Sequence, residues 1–415
     1  MGLYPTGSSN LPLSANLSDD CRHMQTLGSL PLPSDVLLPM LLISLASSWA
    51  GTPIQLQPAL TLQAGAAPLD LGDHAIPCVT DWNGDGLKDL LVGYRPADKV
   101  AVFLNVGTDA QPVFQSHTNL QAGGADIQYP SAACGAPAPW VCDYDGDGKR
   151  DLLVGTGVEG YVFFHRNVGS DALPLLAAGL QLTVGAVPLT VPARATPYVH
   201  DWDEDGLGDL LCGAGNGQVY FFRNIGTAQA PAYASAILLP AGGTPLDLGD
   251  RSAIRVADWD GDGLKDLVGS ASYNVSWCRN TNSNSSPVLE RPIAIQAPVA
   301  GSGLLAINTG YRMRLELTDS NADGVIDLLV GNSDGQVLFY QGYRFAIVSV
   351  TTASPDEMVL RWSSAPFLDY QVLAGTNADA IDIPLATHLT SQGSLTSWTN
   401  SPDGNIRFFR VQVTP

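Results

Sequence analysis

The segment that most constrains this chain is Asp81-Trp82-Asn83-Gly84-Asp85-Gly86-Leu87-Lys88-Asp89, followed by Leu-Leu-Val-Gly. It returns as Asp143-Tyr-Asp-Gly-Asp-Gly-Lys-Arg-Asp151, Asp201-Trp-Asp-Glu-Asp-Gly-Leu-Gly-Asp209, Asp258-Trp-Asp-Gly-Asp-Gly-Leu-Lys-Asp266 and Asp319-Ser-Asn-Ala-Asp-Gly-Val-Ile-Asp327. First residues lie 62, 58, 57 and 61 apart. Self-similarity at a period of about 60 residues calls for an architecture of repeated units that bury their apolar faces against one another.

Each copy places oxygen side chains at positions 1, 3, 5 and 9, with Gly at position 6 for a sharp turn. A hard cation asks for this set from one short loop, and the backbone carbonyl of position 7 would add a further oxygen. The expected calcium ligands are Asp81, Asn83, Asp85, Leu87 and Asp89; Asp143, Asp145, Asp147, Lys149 and Asp151; Asp201, Asp203, Asp205, Leu207 and Asp209; Asp258, Asp260, Asp262, Leu264 and Asp266; and Asp319, Asn321, Asp323, Val325 and Asp327. Up to five Ca²⁺ are expected. An EF-hand would supply Glu at position 12 and continue into a helix. Here position 12 of the first copy is Val92, inside an apolar run closed by Gly93, so the loop joins strands.

The chain carries 20 basic and 40 acidic residues, a net charge of −20. Eighteen of the acids are loop aspartates, so much of the acidity belongs to the metal positions. Such a balance does not suit a nucleic-acid backbone. Cys21, Cys78, Cys134, Cys142, Cys212 and Cys278 show neither a CxxC pair nor zinc spacing. Cys134 and Cys142 could form a local disulfide or stand as small buried thiols.

Residues 51–344 read as one unit told five times. A short strand such as Pro197-Tyr-Val-His200 enters the loop, and the Leu-Leu-Val-Gly strand leaves it. After a turn comes an alternating aromatic strand such as Val219-Tyr-Phe-Phe222, then an Asn-x-Gly-Thr/Ser turn and a Pro-led outer strand. Four short strands per unit make a propeller blade. Outer strands begin near Pro112, Pro174, Pro231 and Pro287, and the missing fifth stands at the front, in residues 53–62. The N-terminal strand is therefore expected to complete the last blade and remove two open edges.

These repeats resemble the FG-GAP, or VCBS, family of β-propeller repeats, the kind found in integrin α-subunit heads, fungal propeller lectins and many secreted bacterial proteins. The signature Asp-x-Asp-x-Asp-Gly-x-x-Asp carries the resemblance, which implies calcium at the five residue sets above. Departures are Asn83 and Asn321 at position 3, Glu204 and Ala322 in place of Gly at position 4, and Ser320 in place of the aromatic at position 2. The fifth loop is expected to bind calcium most weakly.

The fold class expected is all-β: a five-bladed β-propeller with calcium-binding loops over 51–344, then a small C-terminal β-sandwich over 345–415. In the tail Met358, Leu360 and Trp362 share one face, as do Tyr370, Val372 and Ala374, and Phe409, Val411 and Val413. This tail resembles fibronectin-III-like modules. Residues 1–50 read as a disordered leader ending in a signal peptide: an apolar run from Val36 to Ala46 precedes Ser47-Ser48-Trp49-Ala50 and is too short to span a bilayer. The expected location is secreted, extracellular or at the cell surface.

No catalytic constellation stands out. Seven residues before each loop stand His74, Ala136, Arg194, Arg251 and Arg312, four cationic side chains that would ring one mouth and favour a carboxylate- or sulfate-bearing ligand, or else pair with Asp73 and Asp250. Three residues before each loop stand Cys78, Trp140, Tyr198, Arg255 and Glu316, where Trp140, Tyr198 and Arg255 could meet a sugar or instead belong to the core. Trp82, Tyr144, Trp202 and Trp259 read as packing between blades. The reading is a binding or adhesion module for an extracellular glycan or protein. The alternatives are a polysaccharide lyase or hydrolase, for which His200, Arg255 and Glu316 form one nameable trio, and a scaffold without a ligand.

Overall fold

The loop repeats set the spacing of the sheets. The computed structural model describes residues 53–95, 97–129, 135–354, 357–375, 381, 383–400 and 408–414. The leader, its signal-peptide reading and Cys134 lie outside these. Among the described residues all regular structure is strand, and no helix is long and apolar enough to cross a membrane.

Each metal-type loop joins the first two strands of a four-stranded antiparallel sheet. The first sheet runs Asp73–Thr80, Asp89–Arg95, Lys99–Phe103, Thr118–Asn119. The second is Ala138–Cys142, Asp151–Gly155, Val162–His165, Leu180–Gln181. The third is Thr196–His200, Asp209–Gly213, Val219–Phe222, Ile237–Leu238, and the fourth Ala253–Ala257, Asp266–Ser270, Val275–Cys278, Ile293–Ala294. The last sheet takes Arg314–Thr318, Asp327–Gly331 and Val337–Tyr340 from the end of the repeats and Leu60–Thr61 from their beginning, with Leu60 opposite Phe339 and Thr61 opposite Leu338. Gln55–Leu56 also pairs with Gly342–Tyr343, so the N-terminal segment is held twice. Small hairpins that the sequence reading did not separate, such as Gln121–Ala122 with Ala125–Asp126, follow the outer strands.

The second strand of each sheet is buried on both faces, which is why it reads as an unbroken apolar run. A glycine at or near its end permits the next sheet to approach: a Cβ on Gly93 would lie 1.7 Å from Pro137 O, on Gly155 2.0 Å from Ala195 O, and on Gly331 2.2 Å from Ala75 O. First strands of successive sheets touch in chain order, and that of the last sheet touches that of the first.

The tail forms two three-stranded sheets. One is Ile347–Ser354, Glu357–Ser363, Leu395–Asn400; the other is Ile383–Thr390, Asp369–Gly375, Phe408–Val413. Leu360, Trp362, Tyr370, Val372 and Val411 form their common core.

Candidate metal loops and a cationic mouth

In the first loop the Asp81 carboxylate accepts the N–H groups of Asp85 and Gly86 at 3.1 Å each, and Asp85 Oδ1 accepts that of Leu87 at 2.9 Å. Asp89 Oδ2 accepts the Trp82 N–H at 2.9 Å, and its Oδ1 accepts the Asn105 N–H at 2.8 Å. Asn105 opens the Asn-x-Gly turn and its Oδ1 accepts from Gly107 and Val113. The position-9 aspartate therefore ties the loop to the third strand. Asp151, Asp209 and Asp266 repeat the tie to Asn167, Asn224 and Asn280, and Asp327 bonds Gly342 N–H. All five position-9 side chains are fully buried. Burial pushes Asp151 and Asp209 up to about 6 and Asp266 to about 7, against the pull of the backbone N–H donors.

These residues fit a divalent cation. Asp143, Asp145 and Asp151, Asp201, Asp203 and Asp209, and Asp258, Asp260 and Asp262 each bring three carboxylate oxygens within 4.8 Å of one another. Asp145 Oδ1 and Asp203 Oδ1 are buried without a hydrogen-bond partner, an arrangement that costs free energy unless a cation meets them. Their outer oxygens are engaged: Arg166 Nε lies 2.7 Å from Asp145 Oδ2, and Arg223 Nε 2.7 Å from Asp203 Oδ2. Arg279 spans Asp260 and Asp262 in the same way.

The arginine and the position-3 residue change together across the repeats. In the first and last copies Leu104 and Gln341 stand where the other three carry Arg, and position 3 is Asn83 or Asn321. There the Asn Nδ2 donates to the position-5 carboxylate at 2.9 and 2.8 Å. Counting only the loop aspartates and this arginine, four with it or three without it leave the same charge of −3; Arg150 on Asp81 and Lys149 on Asp147 are further bridges. The sequence reading missed this pairing, although Arg-Asn against Leu-Asn and Gln-Gly was its visible signal.

His74, Ala136, Arg194, Arg251 and Arg312 come together around one small pocket, joined by Arg314. His74, Arg194, Arg251 and Arg312 hold left-handed backbone, φ 48°, 49°, 64° and 63°, a conformation that non-glycine residues take at a cost and that clusters at functional sites. The ring is partly answered by acids. Asp73 bonds His74, and Asp250 and the Tyr311 hydroxyl meet Arg251. Tyr311 lies between Arg251 and Arg312, 4.8 and 4.7 Å from its ring centre. Arg314 is fully buried, and burial with Arg251, Arg194 and Arg312 nearby lowers it to about 9. The Nε atoms of Arg251, Arg312 and Arg314 have no hydrogen-bond partner. The enclosed space is about 10 Å³, room for one water-sized group. Arg314 escaped the sequence reading although its row is otherwise Ile76, Ala138, Thr196 and Ala253.

Trp140, Tyr198 and Arg255 do not line an open face. Arg255 is buried, pairs with buried Glu316, and lies over Trp140 and Tyr198 at 4.6 and 5.2 Å. Trp140 and Tyr198 meet edge to face at 4.6 Å. His200 stacks on Tyr198, so the trio named for an enzyme is engaged in packing. Cys78, Cys142, Cys212 and Cys278 are free thiols, and burial pushes Cys78 and Cys212 up to about 12. Trp82, Tyr144, Trp202 and Trp259 are buried in clusters shared by neighbouring sheets.

Residues 81–154 and 201–269 match the FG-GAP-like repeat family. Integrin alpha-4 of Xenopus laevis is 27% identical over 168 residues, covering 38% of this chain and 16% of that protein, so the match spans well under two thirds of the relative. Among solved structures, a chain of the Photorhabdus luminescens Tc holotoxin pore aligns over 78% of this chain and 14% of its own length at 18% identity and a TM-score of 0.34. An Agrocybe aegerita lectin described as recognising non-reducing terminal N-acetylglucosamine aligns over 85% and 96% at 13% identity and a TM-score of 0.38. Among the described residues this is an all-β chain, and two of its stretches, residues 81–154 and 201–269, are similar to FG-GAP-like repeats.

Proposed function

We propose that this chain is a secreted, calcium-stabilised five-bladed β-propeller with a fibronectin-III-like tail, and that it serves as a binding module for an extracellular glycan or protein. Five four-stranded sheets, first strands touching in cyclic order and an N-terminal strand added to the last sheet support the architecture. Calcium is held by the loop carboxylates and stiffens the turns; it supplies electrostatic cross-linking, and the chain's own residues do the rest. The ligand group is a carboxylate or sulfate presented to His74, Arg194, Arg251 and Arg312.

The observation that carries the ligand class is the gathering of arginines on left-handed backbone at one mouth of a chain of net charge −20. The space of about 10 Å³ takes no more than one water-sized group, so the carboxylate or sulfate would meet the half-buried Arg194 and Arg312 at its edge, with the sugar ring or peptide outside.

Residues 51–415, with metal content counted, should bind about five calcium ions and lose thermal stability on chelation. On an array, sulfated and uronic-acid glycans should be retained over neutral ones, and Arg312→Ala should weaken retention with calcium content unchanged. Equal retention of neutral glycans removes the anionic-ligand reading, and absence of calcium binding removes the metal.

A further inference from the structure

We infer that the junction between the last sheet and the first holds a pocket for a small aromatic molecule of the indole or phenol class, in the place that an aromatic side chain of the chain itself fills at the other four junctions. At position 2 of the loops stand Trp82, Tyr144, Trp202 and Trp259, and in the fifth loop Ser320. The register is the same in all: Trp82, Tyr144, Trp202, Trp259 and Ser320 each donate their N–H to Oδ2 of the position-9 aspartate. Position 2 therefore points each side chain at equivalent surroundings.

Those surroundings repeat as well. Tyr144 packs in one cluster with Phe164 of its own sheet and with Val199, Leu210 and Tyr233 of the next. Trp202 does so with Phe221, Val256, Leu267 and Leu289. For the fifth loop the corresponding residues are Phe339, then Val79, Leu90 and Phe114 of the first sheet, and all four line a cavity of about 320 Å³ together with Ser320. That volume lies in the range of small-molecule sites, which runs from about 300 Å³ upward. The Lys88–Asp109 pair, 2.9 Å, stands at the polar side of the pocket, and Ser320 Oγ donates to Asp327.

Four rings of the chain's own sequence state what shape and chemistry such a socket accepts. An indole or phenol brings the same flat apolar body and a polar edge, and burying it removes apolar surface from water without forcing the sheets apart. Cavities lined by Leu, Ile and Phe take up aromatic rings from solution, and Leu90, Phe114, Leu329 and Phe339 supply such a wall here. The pocket shares no residue with the cationic cluster, but Asp89 and Ser320 join it to the first and fifth metal loops, so its test is run in calcium and reads ring binding, which is separate from the anionic-ligand reading above.

The test is calorimetry and ligand-detected NMR of the full chain with indole and p-cresol at millimolar concentration, in calcium. One molecule per chain should bind, with a rise in the thermal midpoint. Ser320→Trp should weaken indole binding by at least about tenfold and raise the midpoint of the unliganded protein, and Ser320→Ala should retain binding. Should the tryptophan variant misfold, Ser320→Phe supplies the same block with a smaller ring. Failure of both probes to bind the unaltered chain, or undiminished binding by a folded Ser320→Trp or Ser320→Phe variant, overturns the assignment. So does equal binding of cyclohexanol, because the socket would then not select aromatic rings.

Discussion

Arg255 Nη2 lies 2.8 Å from Glu316 Oε2, and both side chains are sealed from solvent. They sit at equivalent places on the first strands of neighbouring sheets, 61 residues apart, with Trp140 and Tyr198 of two further sheets against the guanidinium. Removing the carboxylate leaves a cation buried and unpaired, a loss of about 3–5 kcal/mol in comparable cases. Glu316→Ala should therefore lower stability by that order in denaturant unfolding, while Arg255→Leu with Glu316→Leu should recover most of it. Equal losses in the single and double variants would deny the pairing its structural weight.

Ala322 holds φ 56° at position 4 of the last loop, where Gly84, Gly146 and Gly261 hold 69°, 65° and 77°. A left-handed alanine costs about 1–2 kcal/mol relative to glycine, offset in part by the entropy glycine loses on folding. Ala322→Gly should stabilise the chain by about 1 kcal/mol and should tighten the fifth calcium site. Unchanged unfolding midpoints would reject it.

His74 is buried beside Arg312, and burial with that charge lowers it to about 4. The unfolded side chain titrates near 6.5, so between these values the unfolded chain binds more protons than the folded one. Its contribution is complete above pH 6.5 and is lost as pH falls toward 4. Denaturant titrations from pH 7.5 to 4.5 should show a decline that is shallower in His74→Gln by roughly 1–3 kcal/mol over the range. Parallel profiles would assign the decline to the carboxylates alone.

Arg223 is half exposed, so solvent screens its bridge to Asp203 and Asp205, which adds little to stability by itself. Its larger effect is on the charge of the third loop. Asp203→Asn alone should reduce calcium affinity there, whereas Asp203→Asn with Arg223→Leu reproduces the first loop and should restore it. Isothermal titration of both variants distinguishes this from a purely additive pair.

The loops, the strands that flank them and the donation of the front strand to the last sheet are legible in sequence because each rests on local chemistry repeated five times: oxygen spacing, apolar runs and a missing outer strand. Contacts across the sheets are less legible. Trp140 and Tyr198 carry the same sequence signal whether they face a ligand or one another, and only packing shows that Arg255 lies over both. Arg314 hides for the opposite reason, as one charged residue in a row of small ones, a place where periodicity predicts core. The paired change of Asn83 with Leu104 and Asn321 with Gln341 is written in the sequence, yet its meaning needs the 2.7 Å contacts of the other loops.

The pairing of Leu60–Thr61 with the strand ending at Tyr340 has a consequence for how such chains grow. A stack of solenoid repeats can lengthen at either end, one unit at a time. Here Leu60–Thr61 and the last repeat share a sheet, so trimming that front strand leaves the edge of Val337–Tyr340 unmatched, an edge that a second molecule can fill. Strand exchange between copies is the behaviour that this stitching opens when the front strand is lost.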